Sequence, residues 1–442
     1  MDNGIREILN EWKTKKLPDQ IERETNPTIG QQILAITGPR RAGKTYLMNQ
    51  LIKKQLNDPE KEHTAYIDFE DYRLTETKKD DLGKITKTIH ELFTEKDGKI
   101  TLLLDEIQRI PDWETWLRTL HNTEKYNIII SGSSSRLQAR EIATALRGRY
   151  VSRLLLPFSF REFLKTKQHP PQEPRTREEE GILLRHMTEY VTYGGFPDVI
   201  KKDNRDEKIE LLKVYYETIF YRDIIETHRI RNISAMEAFT KNVVSNFGRY
   251  LSLTKTEKYL RTLGLNSSKK TLANHLRSLE SAFFVFSIEK LSPKLRERVQ
   301  QPKKIYPIDP GFLNLTPRFT GDHGTKIECV TAIELLRRQT TNPLLEVYYW
   351  KDHQQKEVDF VIKEGTDIKE LIQVCYDISD PDTKAREERA LIKAAEDLRC
   401  SSLLVLTWDY ESTEERKGKK IRYLPLWKWL LGGYKAEDAQ NN

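Results

Sequence analysis

The chain has 442 residues, 32% of them charged, and its 74 Lys and Arg against 67 Asp and Glu give a net charge of +7. This length exceeds what one hydrophobic core holds and indicates about three domains, while the lack of an eighteen-residue apolar run or an apolar leader excludes a transmembrane helix and a signal peptide. Three cysteines exclude a disulfide framework and a CxxC zinc pair, so we expect a cytoplasmic protein without membrane contact.

The first part of the chain alternates apolar strands with helical segments. Strands are predicted at Ile33–Thr37, Ala65–Phe69, Ile100–Leu104, Ile128–Ser131 and Tyr150–Leu156. This alternation is typical of an α/β fold in which a parallel sheet has helices on both faces. Ligands of such sheets bind at the carboxyl ends of the strands.

A phosphate loop follows the first strand and precedes an amphipathic helix. Its sequence GPRRAGKT consists of Gly38, Pro39, Arg40, Arg41, Ala42, Gly43, Lys44 and Thr45, and it fits the pattern G-x-x-x-x-G-K-[ST]. The two glycines let backbone amides point at phosphate oxygens. Lys44 is expected to reach the β- and γ-phosphates, and the Thr45 hydroxyl to hold Mg²⁺. The loop predicts binding of a nucleoside triphosphate, ATP, with Mg²⁺ as cofactor.

The third predicted strand runs into two acids, Asp105 and Glu106. Such a strand is typical of a Walker B element, in which Asp105 would hold Mg²⁺ through water and Glu106 would orient and deprotonate the attacking water. The alternative is a strand that ends in two surface acids.

The fourth predicted strand ends in a Ser-rich turn. A hydroxyl there could sense the γ-phosphate, and we choose Ser131 over Ser133, although a turn without function would also explain the pattern. Phosphoryl transfer usually needs an arginine beside the γ-phosphate. Arg147 and Arg149, with Arg136 behind them, are the candidates.

The middle of the chain changes to short helices and a β-ribbon. Helices are predicted at Thr254–Leu263 and Ser268–Leu279, and strands at Ala282–Ile288 and Lys304–Ile308, around a charged loop. Two helices, a tight turn and a wing are typical of a winged helix-turn-helix.

This segment also holds nearly all of the excess positive charge. Between Ser267 and Lys304 nine Lys or Arg face only three Glu. The candidate DNA-binding residues are Lys269, Lys270 and Arg277, with His275, on the second helix and Lys294, Arg296 and Arg298 in the wing. Contacts of this kind to the phosphates of duplex DNA would depend strongly on salt. The alternatives are a solvated charged face or a surface for protein contacts.

The last segment predicts a small α/β domain. Its helices are predicted at Lys326–Arg338 and Thr383–Leu398, and its strands at Val347–Trp350, Val358–Ile362, Glu370–Tyr376 and Leu403–Thr407.

The sequence runs GPRRAGKT, LLLDEIQ, ISGSSS, LRGRY, LPFSFREF, YGGFPDVI and YRDII together resemble the AAA+-type P-loop ATPases common in archaea and some bacteria. The resemblance implies an AAA+ core at 1–161, a helical lid at 162–231, a winged helix-turn-helix at 232–318 and a restriction-endonuclease-like α/β domain of the PD-(D/E)XK type at 319–442. It also implies the arginine role for Arg149.

In nucleases of the implied fold, a helix carries Glu, one strand carries Asp, and the next carries E/Q-x-K. Glu328, Asp359 and Gln373 match the metal-binding positions, but Cys375 stands at the lysine position. A neutral glutamine is a poorer metal ligand than a carboxylate. Lys384 or Lys393 could donate the missing lysine, so the domain is either an active nuclease or an inactive one that still binds nucleic acid or a partner.

We therefore expect a Mg²⁺-dependent ATPase that couples its nucleotide state to DNA binding and assembles with itself or a partner protein. Two alternatives remain open at this point. One is an active ATP-dependent DNA nuclease, and the other is a switch in which ATP controls signalling or assembly.

Overall fold

The computed structural model describes residues 2–18, 21–56, 61–132, 146, 148–294, 298, 301–315 and 322–432. The sequence candidates Ser133, Arg136, Arg147 and Arg296 lie outside these residues. The chain divides into two compact units. The first comprises 1–157 with 281–283, and the second comprises 158–280 with 284–442.

The first unit contains a five-stranded, all-parallel sheet in the described residues. Its strands are β1 (Ile33–Thr37), β2 (Thr64–Asp68), β3 (Ile100–Asp105), β4 (Tyr126–Gly132) and β5 (Tyr150–Leu154), in the order β2-β3-β4-β1-β5. β1 and β3 are buried along their whole length, as expected of apolar strands with both faces covered. The predicted strands and the parallel α/β core are confirmed to within two residues at each end.

Helices cover this sheet. They are α1 (Asp2–Thr14), α2 (Lys44–Leu51, continued by a π-helical turn Ile52–Leu56), α3 (Leu82–Leu92) and α4 (Trp113–Asn122). α1 buries Ile5, Ile8, Leu9 and Trp12, which share one helix face at three- and four-residue spacing. The Trp12 indole also donates a hydrogen bond to the Thr64 carbonyl at 2.7 Å, so α1 is part of the core.

The second unit begins with helices. They are α5 (Phe160–Thr166), α6 (Arg177–Tyr193), α7 (Pro197–Ile200) and α8 (Arg205–Thr218, continued by π-helical turns Ile219–Glu226). Ser159 caps α5 by accepting from the Glu162 amide at 3.1 Å, while the Glu162 carboxylate accepts from the Ser159 amide at 2.9 Å. This reciprocal capping box fixes where the helix begins.

The next elements alternate helix and strand. They are α9 (Ile233–Ser245), β6 (Arg249–Leu251), α10 (Leu253–Thr262), α11 (Lys269–Ser281), β7 (Val285–Lys290) and β8 (Lys303–Pro307). β8 pairs antiparallel with both β6 and β7. The two predicted helices and two predicted strands of this segment are present, and β6 is an additional short strand.

The remaining elements are α12 (His323–Thr341), β9 (Leu345–Lys351), β10 (Glu357–Glu364), β11 (Asp367–Val374), α13 (Pro381–Leu398), β12 (Leu403–Thr407), β13 (Ser412–Arg416), β14 (Lys419–Pro425) and α14 (Leu426–Leu430). The sequence pattern predicts the helices and strands through β12 but not the hairpin β13–β14 or α14.

Within the described residues, the second unit contains one mixed sheet of nine strands. Its strand order is β13-β14-β12-β11-β10-β9-β7-β8-β6. The junction is a parallel pairing of β7 with β9, in which Glu289 lies opposite Tyr348 and Lys290 opposite Tyr349. The predicted boundary between 318 and 319 therefore separates strands of a single sheet. The two edges of the sheet are β13, with five residues, and β6, with three.

Among the described helices, none combines the length and the apolar character that crossing a lipid bilayer requires.

Candidate functional site

Two glycines shape the phosphate loop. Gly38 has a φ of +147°, and a Cβ on it would lie 2.1 Å from the Leu155 carbonyl oxygen. Gly43, at the start of α2, has a φ of +94°. Both values fall in the region that favours glycine. A side chain at Gly38 would collide with the Leu155 backbone, and any other residue at Gly43 would strain the turn, so the loop needs glycine at both positions.

Lys44 follows Gly43 as the first residue of α2. Its ammonium donates to the carbonyl oxygens of Gly38 and Pro39, both at 3.1 Å, and the residue is only 7% exposed. The lysine is thus held against the backbone of the loop, and its role toward phosphate stays a prediction. Such a cationic donor suits the β- and γ-phosphates of a nucleotide.

Asp105 accepts hydrogen bonds from three hydroxyl groups. Thr45 donates to Oδ2 at 2.7 Å, Tyr66 donates to the same oxygen at 3.0 Å, and Ser131 donates to Oδ1. The structure thereby brings together Thr45, Asp105 and Ser131, which the sequence placed on three separate elements. A carboxylate beside a hydroxyl at the end of the phosphate loop fits Mg²⁺, which prefers oxygen ligands.

Glu106 follows Asp105 in a left-handed conformation, with a φ of +51°. This turn ends β3 and directs Glu106 away from the strand direction. The Gln108 side-chain amide donates to the Glu106 carboxylate. The position next to Asp105 is the one expected for a base that activates water.

Asp68 is a further carboxylate at this edge, and the sequence analysis did not assign it. It lies opposite Asp105 in the pairing of β2 with β3. Burial raises the pKa of Asp68 to about 6, and the nearby charges of Asp105, Glu70 and Glu106 add to the rise, although the Glu70 amide opposes it. The signal was present in the sequence, because Asp68 lies near the carboxyl end of the predicted strand Ala65–Phe69, where ligands of parallel sheets bind.

Arg23 is a second residue that the sequence analysis missed. Its guanidinium donates to the carbonyl oxygens of Ala42, at 2.7 Å, and of Leu156, at 2.6 Å. Its backbone amide donates to the Gln50 side chain on α2 at 2.8 Å. Arg23 therefore links the phosphate loop to α2 and to the segment that follows β5. No local pattern marks it, since its partners lie far along the chain.

Arg149 lies at the other end of the sheet. It directly precedes Tyr150, which pairs with Ile33, whereas the phosphate loop follows Thr37. Because β1 and β5 are parallel, the five residues of β1 lie between the level of Arg149 and the start of the loop, a separation of about 20 Å along the strand direction. The structure therefore contradicts a role for Arg149 at the phosphate loop of its own chain and leaves only a role at another chain.

The basic residues of α11 differ in their exposure. Lys269, Lys270 and Arg277 are exposed, together with Asn274, and three-to-four residue spacing places Lys270, Asn274 and Arg277 on one face. His275 instead is buried beside the Phe239 ring, with 5.8 Å between the ring centres. His275 is thus part of the core and is excluded as a surface contact.

Two candidate residues of the charged loop are described. Lys294 is exposed. Arg298 donates to the Ser292 carbonyl at 2.6 Å and to the Tyr348 hydroxyl at 3.0 Å. Its guanidinium therefore holds the loop against β9, which makes it a poor candidate for a phosphate contact.

A cavity of about 570 Å³ lies beside α9 and α10, and the sequence analysis did not anticipate it. Lys255, Lys290 and Lys351 line it together with Tyr250 and Tyr259. Within the described part of the chain, Lys255 and Lys290 form no ion pair. The cavity thus combines positive charge with aromatic rings.

The candidate metal residues of the last segment surround a lysine. Lys304, on β8, donates to Asp359 at 2.8 Å and to Glu328 at 3.1 Å, and pairs with Glu357 at 2.7 Å. Burial disfavours the ammonium, but Asp359, Glu328 and Glu357 outweigh this and hold the pKa of Lys304 well above its ordinary value. The charge at the centre of this cluster is therefore positive.

Gln373 does not join Glu328 and Asp359 around a metal position. Its side-chain oxygen accepts from the Asp359 amide at 3.2 Å, and its nitrogen donates to Glu387 at 2.7 Å. No group of three or more acidic, histidine or cysteine side chains able to hold a metal occurs among the described residues. The predicted metal set Glu328, Asp359 and Gln373 is thus contradicted in this conformation.

The alternative lysines lie elsewhere. Lys384 bonds to Glu414 at 2.5 Å, and Lys393 bonds to Asp397 at 2.7 Å. Cys375 donates to the Asp377 carbonyl at 3.2 Å, and burial raises the pKa of its thiol to about 11. The lysine of the cluster is Lys304, which the sequence analysis counted only as part of the basic stretch.

Sequence comparison assigns the chain to a family. A protein of Methanocaldococcus jannaschii, described as "Uncharacterized protein MJ1544", is 34% identical over 431 residues, which cover 96% of this chain and 94% of that relative. This chain belongs to the same family. A relative from Haemophilus influenzae shares 25% identity over 397 residues, which cover 89% of this chain and 94% of that protein.

Three domain families match parts of the chain. The family described as "AAA domain" matches residues 30–164, which contain the phosphate loop, Asp105 and Ser131. This part of the chain is therefore a P-loop AAA-type domain with a parallel sheet. Two domains of unknown function, DUF8612 and DUF4143, match residues 184–322 and 323–429.

Among solved structures, the Walker-type ATPase PABY2304 of Pyrococcus abyssi aligns with 13% identity and a TM-score of 0.42. The alignment covers 64% of this chain and 90% of the other.

Proposed function

We propose that this protein is a Mg²⁺-dependent ATPase. The observation that carries the proposal is the bond between Thr45 and Asp105 at 2.7 Å, at the end of a loop whose Lys44 ammonium bonds to the Gly38 and Pro39 carbonyls. A hydroxyl, a carboxylate and a fixed positive charge at the end of one buried sheet are the groups that a metal-bound triphosphate needs.

Each residue has a separate role in the proposed reaction. The loop amides and Lys44 bind the phosphates, and Thr45 and Asp105 hold the cation. Mg²⁺, when bound with the nucleotide, would neutralise charge on the phosphate oxygens. Glu106 orients the attacking water and accepts its proton, and Ser131 links the position of Asp105 to the γ-phosphate.

Two substitutions test these roles. Lys44→Ala removes the phosphate contact and should abolish ATP binding in calorimetry. Glu106→Gln keeps the shape of the site but removes the base, so ATP binding should persist while turnover falls by at least about 100-fold. Glu91→Gln, an exposed acid on α3, is the matched control and should leave both unchanged. Normal turnover in Glu106→Gln would exclude this residue as the base.

We further propose that the segment 232–318 is a winged helix-turn-helix that binds duplex DNA and that nucleotide state controls this binding. The exposed face of α11, with Lys270, Asn274 and Arg277, supports the proposal, since this helix corresponds to the one that enters the major groove. Lys255, Lys290 and Lys351, which line one cavity, add positive charge, and among the residues that the structure describes the first two form no ion pair.

Salt dependence tests the DNA proposal. Each lost phosphate contact lowers the slope of log affinity against log salt by about 1. Lys270→Ala and Arg277→Ala should therefore weaken binding of a duplex and flatten the slope, while Lys213→Ala on α8 should not. Affinity that does not vary with salt would contradict duplex binding through these residues.

A further inference from the structure

The acidic cluster of the second unit has a lysine at its centre. The Lys304 ammonium lies 2.7 Å from Glu357 Oε1, 2.8 Å from Asp359 Oδ1 and 3.1 Å from Glu328 Oε1. Its side chain is 3% exposed. Three carboxylates from α12 and β10 therefore direct one oxygen each at a single buried point, and a cation from β8 occupies that point.

The other hydrogen bonds of these carboxylates fix their directions. Asp359 Oδ2 accepts from the Val374 amide at 3.0 Å, and Glu328 Oε1 also accepts from the Tyr306 hydroxyl at 2.7 Å. Glu357 Oε2 lies 3.5 Å from the Lys351 ammonium. The oxygens that face Lys304 are thus held in place by neighbours that do not depend on Lys304.

A lysine ammonium and a divalent cation cannot share this point. Hard divalent cations bind carboxylate oxygens at roughly 2.0–2.6 Å, shorter than the ammonium contacts but toward the same oxygens. Removing the ammonium would leave three carboxylates converging on a space of suitable size and charge. Leaving such groups buried without a cation is costly, so the vacated point would attract one.

Gln373 and Cys375, at the end of β11 and directly after it, carry no positive charge that could replace Lys304. The amide of Gln373 bonds at both ends, to the Asp359 backbone and to Glu387. The thiol of Cys375 bonds to the Asp377 carbonyl. Neither residue supplies charge, so the positive charge next to Asp359 comes from Lys304 on a strand of the preceding segment.

We propose that Lys304 is a built-in cation that takes the place of a divalent metal. With Lys304 present the cluster of Glu328, Glu357 and Asp359 binds no metal, and without it the same carboxylates form a site for Mn²⁺ or Ca²⁺. The proposal depends neither on ATP hydrolysis nor on DNA binding. If it holds, metal-dependent cleavage of nucleic acid at this cluster is excluded.

The test counts bound Mn²⁺ by electron paramagnetic resonance on the full-length chain without nucleotide. Lys304→Ala should bind about one Mn²⁺ per chain more than the wild type. The dissociation constant should be roughly 10⁻⁴–10⁻³ M, which is typical of a weak site with oxygen ligands. Lys303→Ala is the matched control, because Lys303 is adjacent on β8 but pairs with Glu289 at 2.8 Å. Adding Asp359→Asn to Lys304→Ala should remove the extra Mn²⁺.

Thermal unfolding gives a second readout. Lys304→Ala should unfold at a lower temperature than Lys303→Ala, and millimolar Ca²⁺ should raise the unfolding temperature of the first variant only. Lys304→Gln, which keeps most of the side-chain volume, serves if the alanine variant does not fold, and it should also gain Mn²⁺.

Mn²⁺ binding by the wild-type protein also tests the proposal, without any variant of Lys304. Mn²⁺ that binds the nucleotide-free wild type and is lost on Asp359→Asn would overturn the proposal and indicate that Lys304 acts beside a metal. Absence of extra Mn²⁺ in folded Lys304→Ala or Lys304→Gln would also overturn it.

Discussion

In the proposed ATPase, Asp105 is a carboxylate whose direction is fixed without metal or nucleotide. Its two oxygens accept from the hydroxyls of Thr45, Tyr66 and Ser131, which come from α2, β2 and β4. Burial and the Asp105 charge raise the pKa of the Tyr66 hydroxyl, so it remains a donor. The carboxylate is therefore fixed in direction, which lowers the cost of ordering it when a ligand binds.

Gly38 should tolerate no side chain. In Gly38→Ala, the added Cβ would lie 2.1 Å from the Leu155 carbonyl oxygen at a φ of +147°, and the loop would have to move. We expect ATP binding to weaken by at least about tenfold, since backbone strain of this kind costs about 1–3 kcal/mol. Gly30→Ala, where a Cβ meets nothing within 4 Å, should bind ATP normally. Equal affinities in calorimetry would contradict this account.

Asp68 predicts a pH effect on stability. Its pKa is about 6 in the folded chain and 3.8 in its ordinary state, so between these values the unfolded chain releases a proton that the folded chain keeps. Its contribution therefore becomes unfavourable as pH rises from about 4 to 6 and stays so above. Asp68→Asn should be more stable than the wild type above pH 6, and the gain should vanish near pH 4.

The control variant for this prediction should change the stability in the opposite direction. A hydrogen bond from Arg73 lowers the pKa of Asp71, so Asp71→Asn should lose stability at neutral pH. Urea unfolding of both variants from pH 4 to pH 8 measures the two trends. A gain for Asp68→Asn that does not change with pH would exclude the carboxyl group as its cause.

The site residues that the sequence singles out are those marked by a local pattern. Lys44, Thr45 and Asp105 lie in or next to short runs in which glycine, lysine or acid spacing carries the chemistry. Arg23 and Lys304 could not be found in this way, because their partners lie 19 to 133 and 24 to 55 residues away. Only the folded chain shows that a lysine of the basic stretch neutralises an acidic cluster.

At the scale of elements, the buried parallel strands were the most predictable. β1 and β12 match their predicted bounds because a short apolar run between polar residues leaves little choice. The hairpin β13–β14 was missed because β13, with the sequence STEER, has no apolar alternation. β6 was missed because three residues are too few to show a period.

The register of β5 makes a prediction about Arg149. Since Arg149 lies at the amino end of the sheet, it can act on phosphate only in a neighbouring chain. Arg149→Ala and Glu106→Gln should each lose ATPase activity, the first by roughly 10³-fold or more if the arginine stabilises the transition state. Mixing the two should restore activity, because one chain supplies the arginine and the other the intact loop and base.

Two results would contradict this arrangement. One is full activity of Arg149→Ala alone. The other is a mixture no more active than its components, with mixed assembly verified by differently tagged chains. Mixing Arg149→Ala with the double variant Arg149→Ala/Glu106→Gln is the control and should restore nothing.

At the scale of the molecule, one sheet runs through the second unit and crosses the predicted boundary at 318/319, close to the division between the two matched domain families at 322/323. The parallel pairing of β7 with β9 and the contacts of Lys304 with Glu328 and Asp359 both cross the predicted boundary at 318/319. The order of elements was predictable from the sequence, but the pairing of β7 with β9 was not, because nothing in either strand specifies such a distant partner.

This continuity predicts how fragments behave. Residues 319–442 alone would leave β9 without β7 and three buried carboxylates without Lys304, so this fragment should aggregate or unfold without a cooperative transition. Residues 158–442 keep both and should unfold cooperatively. Circular dichroism and size-exclusion chromatography compare them, and a fragment 319–442 as stable as the longer one would contradict the single-sheet account.

The two edge strands of the nine-stranded sheet have a consequence for self-association. β13 carries Glu414, Glu415 and Arg416 among its five residues, and β6 offers only three residues of backbone. Charged or very short edges discourage another polypeptide from adding its own backbone to the sheet. Copies of this chain should therefore resist fibril formation, and any ring or pair they build would rely on side-chain complementarity.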